Sequence, residues 1–195
     1  MPTAQSRERT VADLCRRSID LMANGDPTAF SEVYAPDATN RESSSEPPDC
    51  RGHGPAAFQG SADWLHAAFD ELRWEVHEVV VSENLAAVHT TMSGRHVRPF
   101  VVFGAAGEPT QVFPPTGRTF AVTQTHWYRA AGDLIVEHWA NRDDQGLAVQ
   151  LGWVPPSPAY LLKMRRALRA ARRTAAGGER RRARPRAAGR SDPTA

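Results

Sequence analysis

The chain has 195 residues, a net charge of +2, 41% hydrophobic residues and five Trp, which suits one domain with extensions and a substantial core. Its polar first residues, MPTAQSRERT, and its short apolar runs predict neither a secretory signal nor a membrane span. The two cysteines, Cys15 and Cys50, form no motif, so we expect a reduced, cytoplasmic protein without disulfides.

The net charge hides an asymmetry between the C-terminal segment and the rest of the chain. From Tyr160 onward there are twelve Lys or Arg against two acids, a net charge of +10, so the remainder carries −8. The chain as a whole therefore does not predict a nucleic-acid-binding domain. Binding of RNA or an anionic surface is left to the tail alone, which has no aromatic stacking residue after Tyr160.

The first third of the sequence predicts helices. Apolar residues recur at helical spacing over residues 7–23, a second short helix begins at Asp26, and a third begins at Gly54. Residues 38–54 are rich in Ser, Pro and Glu, which predicts a loop between the second and third helices.

From Leu72 the hydrophobic period changes to two, which predicts strands. We expect a hairpin over residues 72–96, a short strand over 100–103, and a long final hairpin of strands 119–128 and 134–141. Helices gathered on one side of such an antiparallel sheet predict an α+β fold.

The C-terminal segment begins with Ser157-Pro158, a typical helix start, and carries apolar residues on one side and arginines on the others. Gly177-Gly178 is expected to end this helix. The predicted organisation is a flexible N-terminus (1–7), one domain (8–156), a basic helix (157–176) and a disordered Arg-rich tail (177–195).

The final hairpin also carries sequence motifs that are typical of a known family. PTGR at 115–118 precedes the long strand, Gly132 marks the turn, IVEHW follows at 135–139, and GL stands at 146–147. In order and spacing this segment resembles the SnoaL-like polyketide cyclase, or ester cyclase, family of the NTF2-like superfold. The resemblance covers roughly residues 8–153.

The resemblance implies a cone-shaped α+β barrel with N-terminal helices packed on a curved sheet. Members of the family close a ring by an intramolecular aldol condensation, using an acidic side chain in the cone and neither cofactor nor metal. It further implies a hydrophobic, carbonyl-bearing, polyketide-like substrate and a homodimer or higher homo-oligomer. Because the superfold also hosts non-catalytic proteins, a ligand-binding or assembly module is the alternative.

Asp143 is the leading candidate for that acid. If the last strand runs through it, Trp139, Asn141 and Asp143 share one face, because side chains alternate along a strand. A carboxylate on the concave face is partly desolvated, which raises its pKa toward the range that a base for a carbon acid needs. The competing interpretation is an Asp that caps the turn after the strand, and Asp144 is the neighbouring alternative.

His126, on the preceding strand, is the second candidate. Pairing across the turn at Gly132 brings it opposite residues 136–140, where it could orient a substrate carbonyl or carry a proton. For His138, in the IVEHW motif, we favour a structural role in which it holds adjacent strands together. The predicted site therefore has Asp143 and His126 as catalytic residues, with Trp139, Asn141, Asn40, Tyr128 and Gln124 as substrate-binding residues.

Motifs for metals and nucleotide cofactors are missing from the sequence. The seven histidines form no HExxH pattern, and neither CxxC nor GxGxxG nor a P-loop occurs. We therefore expect chemistry without a metal or a cofactor.

Overall fold

The computed structural model describes residues 4–182, and within them four α-helices and seven strands are formed. Three short 3₁₀ helices lie between the first two α-helices, at Phe30–Glu32, Ser43–Ser45 and Pro48–Arg51. In chain order the main elements are α1 (Ala4–Asn24), β1 (Tyr34–Asn40), α2 (Pro55–His66), β2 (Phe69–Ser82), β3 (Leu85–His96), β4 (Phe100–Phe103), β5 (Pro109–Phe113), β6 (Thr119–Ala131), β7 (Leu134–Arg142), α3 (Asp144–Gln150) and α4 (Pro158–Arg182).

The main sheet has the strand order β1-β7-β6-β3-β2, and β4 and β5 form a separate hairpin. All neighbours in the main sheet are antiparallel except β1, which runs parallel to β7. Helices α1 and α2 contribute their apolar faces to a core shared with this sheet. The predicted α+β class, with helices on an antiparallel sheet, is confirmed.

Two apolar clusters hold these layers together. One joins α1 and α2 to the sheet and contains Phe30, Tyr34 and Tyr128, and the other contains Phe69 and Trp153 near the β4–β5 hairpin. A cavity touches side chains of both clusters, so the interior is hollow where the two clusters meet.

The first strand differs from the prediction. Residues 34–40 form β1, where the sequence predicted the end of a helix and the start of a loop. This strand contains a proline and several polar residues, so its sequence lacks the usual strand pattern. They are tolerated because β1 lies at the edge of the sheet. Asn40 is consequently the last residue of a strand, paired with His138 of β7.

The predicted boundaries at both ends of the chain also change. Helix α1 begins at Ala4, within the segment predicted to be flexible, and α4 continues past Gly177 to Arg182. Gly177 does not have the positive φ of a helix-ending glycine. Residues 1–3 of the predicted N-terminus and 183–195 of the predicted tail lie outside the described residues. None of the described helices is long and apolar enough to cross a membrane.

A single irregularity in the β6–β7 hairpin decides which side chains face inward. Ala130 pairs with Ile135, but the next pair is Arg129 with Glu137, so β7 holds one extra residue, Val136. A bulge of this kind reverses the faces of every residue beyond it, since the side-chain period of a strand is two. His126 therefore lies opposite Ala140.

Candidate active site

The cavity has a volume of about 300 Å³ and is bounded by α2, the inner face of β6 and β7, and the β4–β5 hairpin. Most of its wall is apolar and aromatic, which is typical of a site for a small hydrophobic molecule. Its large apolar lining residues are Met22, Phe58, Trp64, Leu65, Phe69, Trp74, Met92, Phe100, Phe113, Leu147 and Trp153.

A chain of hydrogen bonds crosses the inner face of the β6–β7 hairpin. Trp74 Nε1 donates to Gln124 Oε1 over 3.0 Å, and the same oxygen lies 2.9 Å from His126 Nε2. His126 Nδ1 then lies 3.0 Å from His138 Nε2. The two histidines, called the histidine pair below, are thus bonded directly to each other.

The other end of this chain lies on β1. His138 Nδ1 is 3.1 Å from Asn40 Oδ1, and the backbone N–H of Glu42 donates to the same oxygen over 3.2 Å. Strand pairing places these groups together, because Asn40 is opposite His138 in the register of β1 and β7. His138 therefore links two strands, as the structural interpretation expected.

Burial lowers the pKa of His126 to about 3, with a smaller contribution from the positive charge of Arg142. Burial also lowers the pKa of His138 well below its ordinary value, assisted by His126 and Arg142. The pair is therefore neutral when the site is empty. Both ring nitrogens of each histidine contact protein groups, so neither histidine offers a free ring nitrogen to a substrate.

Glu46 is the buried carboxyl group of the cavity wall, with only 4% of its surface exposed. Its carboxylate hydrogen-bonds to the hydroxyl of Ser61 on α2. Burial raises the pKa of Glu46, and the Ser61 bond and nearby arginines oppose this only in part. A carboxyl with a raised pKa in an apolar cavity is suited to exchange protons with a carbon acid.

Arg51 holds the loop around Glu46 through hydrogen bonds to backbone carbonyl groups. The guanidinium of Arg51 donates two hydrogen bonds to the Glu46 carbonyl, at 3.0 and 2.7 Å, and one to Gly104 beside β4 at 2.8 Å. Arg51 thereby ties this loop to the turn of the β4–β5 hairpin. Composition alone gives no signal for Glu46, because its burial depends on Ser61, 15 residues further along the chain.

Charged groups at the edge of the cavity are already paired. Arg142, the last residue of β7, lies 3.5 Å from a carboxylate oxygen of Glu42 and 3.6 Å from one of Asp144. All three residues line the cavity, so Asp144, the alternative to Asp143, stands at its margin. The positive charge of Arg142 is therefore shared between two carboxylates before any ligand enters.

Residues 15–138 match the family model described as a SnoaL-like domain, which is more than half of the chain. The chain belongs to the SnoaL-like domain family. Comparison with curated proteins gives no match.

Solved structures share the fold of this SnoaL-like domain. TsrD from Streptomyces laurentii is 22% identical, with a TM-score of 0.60, over 74% of this chain and 96% of its own. IdmH from Streptomyces antibioticus is 24% identical, with a TM-score of 0.56, over 73% and 98%. A protein from Agrobacterium tumefaciens described as a SnoaL-like polyketide cyclase is 15% identical, with a TM-score of 0.55, over 73% and 98%.

The predicted position of Asp143 inside the cone of this SnoaL-like domain is wrong. Strand β7 ends at Arg142, and Asp143 is the exposed N-cap of α3, where its carboxylate accepts the N–H of Gly146 over 2.7 Å. It does not line the cavity of about 300 Å³. The capping interpretation therefore describes its position.

Trp139 and Asn141 lie on the outer face of the sheet, so their prediction as cavity residues is also wrong. The ring of Trp139 stacks on Trp127 at 6.0 Å between centroids, and Arg41 lies 5.0 Å above it. Asn141 Oδ1 accepts the indole N–H of Trp127 over 3.2 Å. The bulge at Val136 is the physical reason, because without it Trp139 would lie opposite His126.

The other predicted residues do line the cavity, namely His126, Gln124, Tyr128 and Asn40. Tyr128 is buried in the cavity wall. Its hydroxyl oxygen lies 3.2 Å from that of Ser18, which is also 2.6 Å from the hydroxyl of Tyr34. Within the described part of the chain, no group of three or more His, Cys, Asp or Glu side chains is arranged to hold a metal ion.

Proposed function

We propose that this SnoaL-like domain is a cofactor-independent cyclase or isomerase that acts on a hydrophobic, carbonyl-bearing small molecule, with Glu46 as its general acid and base. One observation carries the proposal: a carboxyl group buried in an apolar cavity, with its pKa raised by that burial. The description of the Agrobacterium tumefaciens neighbour as a polyketide cyclase supports the same class of substrate.

Glu46 acts first as a base. Its carboxylate takes a proton from a carbon that lies between two carbonyl groups, and the resulting enolate attacks a second carbonyl carbon of the same molecule. The new carbon–carbon bond leaves an alkoxide, and the protonated Glu46 returns its proton to that oxygen. The apolar wall keeps water out and holds the folded substrate in a reactive pose.

Ser61 is suited to both protonation states of Glu46. Its hydroxyl also lies 3.3 Å from the carbonyl oxygen of Ala57. When Glu46 is ionised, Ser61 donates to the carboxylate. When Glu46 is protonated, Glu46 donates to Ser61, and the hydroxyl proton turns to Ala57. Neither state leaves a buried polar group without a partner, which keeps the cost of proton transfer low.

The test uses benzoylacetone, an aromatic β-diketone, and follows exchange of its acidic C–H for deuterium by NMR. Glu46→Gln keeps a hydrogen-bonding side chain beside Ser61 but removes the base, so the protein-catalysed exchange rate should fall by about 100-fold or more. Asp143→Asn is the matched control, since Asn is an equally good N-cap, and it should exchange at the unmodified rate.

Binding is measured in parallel by quenching of tryptophan fluorescence, since Trp64, Trp74 and Trp153 line the cavity. Glu46→Gln should bind benzoylacetone with nearly unchanged affinity. Full exchange activity in Glu46→Gln would refute the assignment. Binding by the unmodified protein without any exchange would favour the alternative, a non-catalytic ligand-binding module.

A further inference from the structure

The hydrogen bonds around the histidine pair fix the number of protons that satisfy it. An indole N–H can only donate, so Trp74 identifies the Gln124 oxygen as an acceptor. A backbone N–H can only donate, so Glu42 identifies the Asn40 oxygen as an acceptor as well. The pair therefore lies between two acceptors.

Three contacts then each require one proton: Gln124 with His126, His126 with His138, and His138 with Asn40. Two neutral imidazoles carry only two N–H protons. In the neutral state, one of these contacts places two acceptors against each other. Turning the amide of Asn40 does not help, because its NH₂ group would then face the N–H of Glu42. The pair is built for one proton more than it holds.

A negatively charged ligand in the cavity would favour protonation of the histidine pair, because it stabilises a positive charge there. The other titratable groups that line the cavity are Arg142 at the end of β7, Asp144 at the start of α3, Glu42 and Glu46 in the loop after β1, Tyr128 on β6 and Tyr34 on β1. Arg142 is already shared between two carboxylates, and the two tyrosines have their pKa raised by burial and remain neutral. An anionic group in this cavity therefore lacks a free counter-charge until the pair becomes protonated.

We propose that the cavity takes a hydrophobic ligand that carries an anionic oxygen, such as a carboxylate or an enolate, and that the histidine pair binds one proton as this ligand enters. The proton completes the His138–Asn40 contact and places one positive charge on the cavity wall. The inference depends on the ligand binding of the proposed function but not on Glu46. Asn40 is a positioning residue here, because it acts through His138.

Calorimetry with naphthoate tests this, and naphthamide is the neutral ligand of matched shape. Each is titrated at about pH 6 in two buffers of different ionisation enthalpy, which gives the number of protons taken up. Naphthoate should bind with uptake of close to one proton, and naphthamide should bind with none. Absence of naphthoate binding, or naphthoate binding without proton uptake, would overturn the proposal.

Asn40→Asp separates the histidine pair from other sources of the proton. A carboxylate at this position still accepts from Glu42 and holds the third proton on His138 before any ligand is present. Proton uptake on naphthoate binding should therefore disappear, and NMR of the imidazole nitrogens should show a charged His138 in the free variant. Asn141→Asp, on the outer face of the same hairpin, should behave as the unmodified protein does.

Glu46→Gln completes the experiment. If the proton goes to the histidine pair, this variant takes up the same proton on binding naphthoate even though its exchange activity is lost. If uptake disappears in Glu46→Gln, Glu46 is the proton acceptor, and the inference fails while the proposed function stands. If exchange persists in Glu46→Gln but uptake is unchanged, the proposed function fails and the inference stands.

Discussion

The two faces of the β6–β7 hairpin carry similar side chains in different environments. The inner face buries its polar groups in the continuous chain from Gln124 through His126 to His138. The outer face carries a partly exposed tryptophan pair and Glu137, which pairs with Arg129 over 3.3 Å. Burial makes each inner hydrogen bond costly to lose, whereas water can replace the outer contacts. Location, rather than residue type, decides which group can do chemistry.

The largest expected difference between the faces is in stability. Tyr128 is 1% exposed and packs in the core cluster that joins the sheet to α1 and α2. Tyr128→Ala should lower the free energy of unfolding by about 3–5 kcal/mol, since it leaves a large cavity and removes one of the two hydroxyl contacts of Ser18. Chemical denaturation measures this. A loss below about 1 kcal/mol would mean that neighbouring side chains collapse into the space that Tyr128 leaves.

The inner face should also make the free energy of unfolding depend on pH, because it buries His126. The pKa of His126 is about 3 in the folded protein, against about 6.5 in the unfolded chain. Between these values the unfolded chain binds more protons, so stability is full above about pH 6.5 and falls as the pH is lowered. The contribution of one such histidine is about 1.4 kcal/mol per pH unit in that window.

His126→Gln should remove this contribution while keeping a polar group in the chain. Between about pH 6.5 and pH 4, stability of the variant should fall less steeply than that of the unmodified protein by about 1.4 kcal/mol per pH unit. Urea denaturation at a series of pH values gives both slopes. Equal slopes would show that His126 is already protonated in the folded state, against the direction that its burial imposes.

Much of this fold is predictable from local pattern. Strands β3 and β4 have the predicted bounds, and the start of α2 follows from Gly54-Pro55. The period of two along β6 correctly places Gln124, His126 and Tyr128 on the buried face, because no bulge interrupts that strand before Ala130. These successes share one cause: the periodicity is strong and the deciding contacts are close in sequence.

The parts that could not be predicted depend on single residues or distant contacts. Val136 is an ordinary β-branched residue, and nothing in its type reveals a bulge, yet it moves Trp139 and Asn141 to the outside. Glu46 is buried in a loop whose backbone bonds to Arg51 and whose carboxylate bonds to Ser61 on α2, and its residue type predicts neither contact. For Asp143, the competing signal was already present, since an Asp before a short helix is a common N-cap.

The smallest expected effect belongs to the outer tryptophans. Trp127→Ala removes the stacking on Trp139 and the bond to Asn141, but both partners keep access to water, so the loss should be about 1 kcal/mol. Naphthoate affinity should not change, because neither tryptophan lines the cavity. Denaturation and calorimetry on one preparation measure both quantities. A loss as large as that of Tyr128→Ala, or an altered affinity, would contradict this expectation. Because the two faces share one backbone, it would mean that the outer tryptophans also fix the positions of the inner side chains.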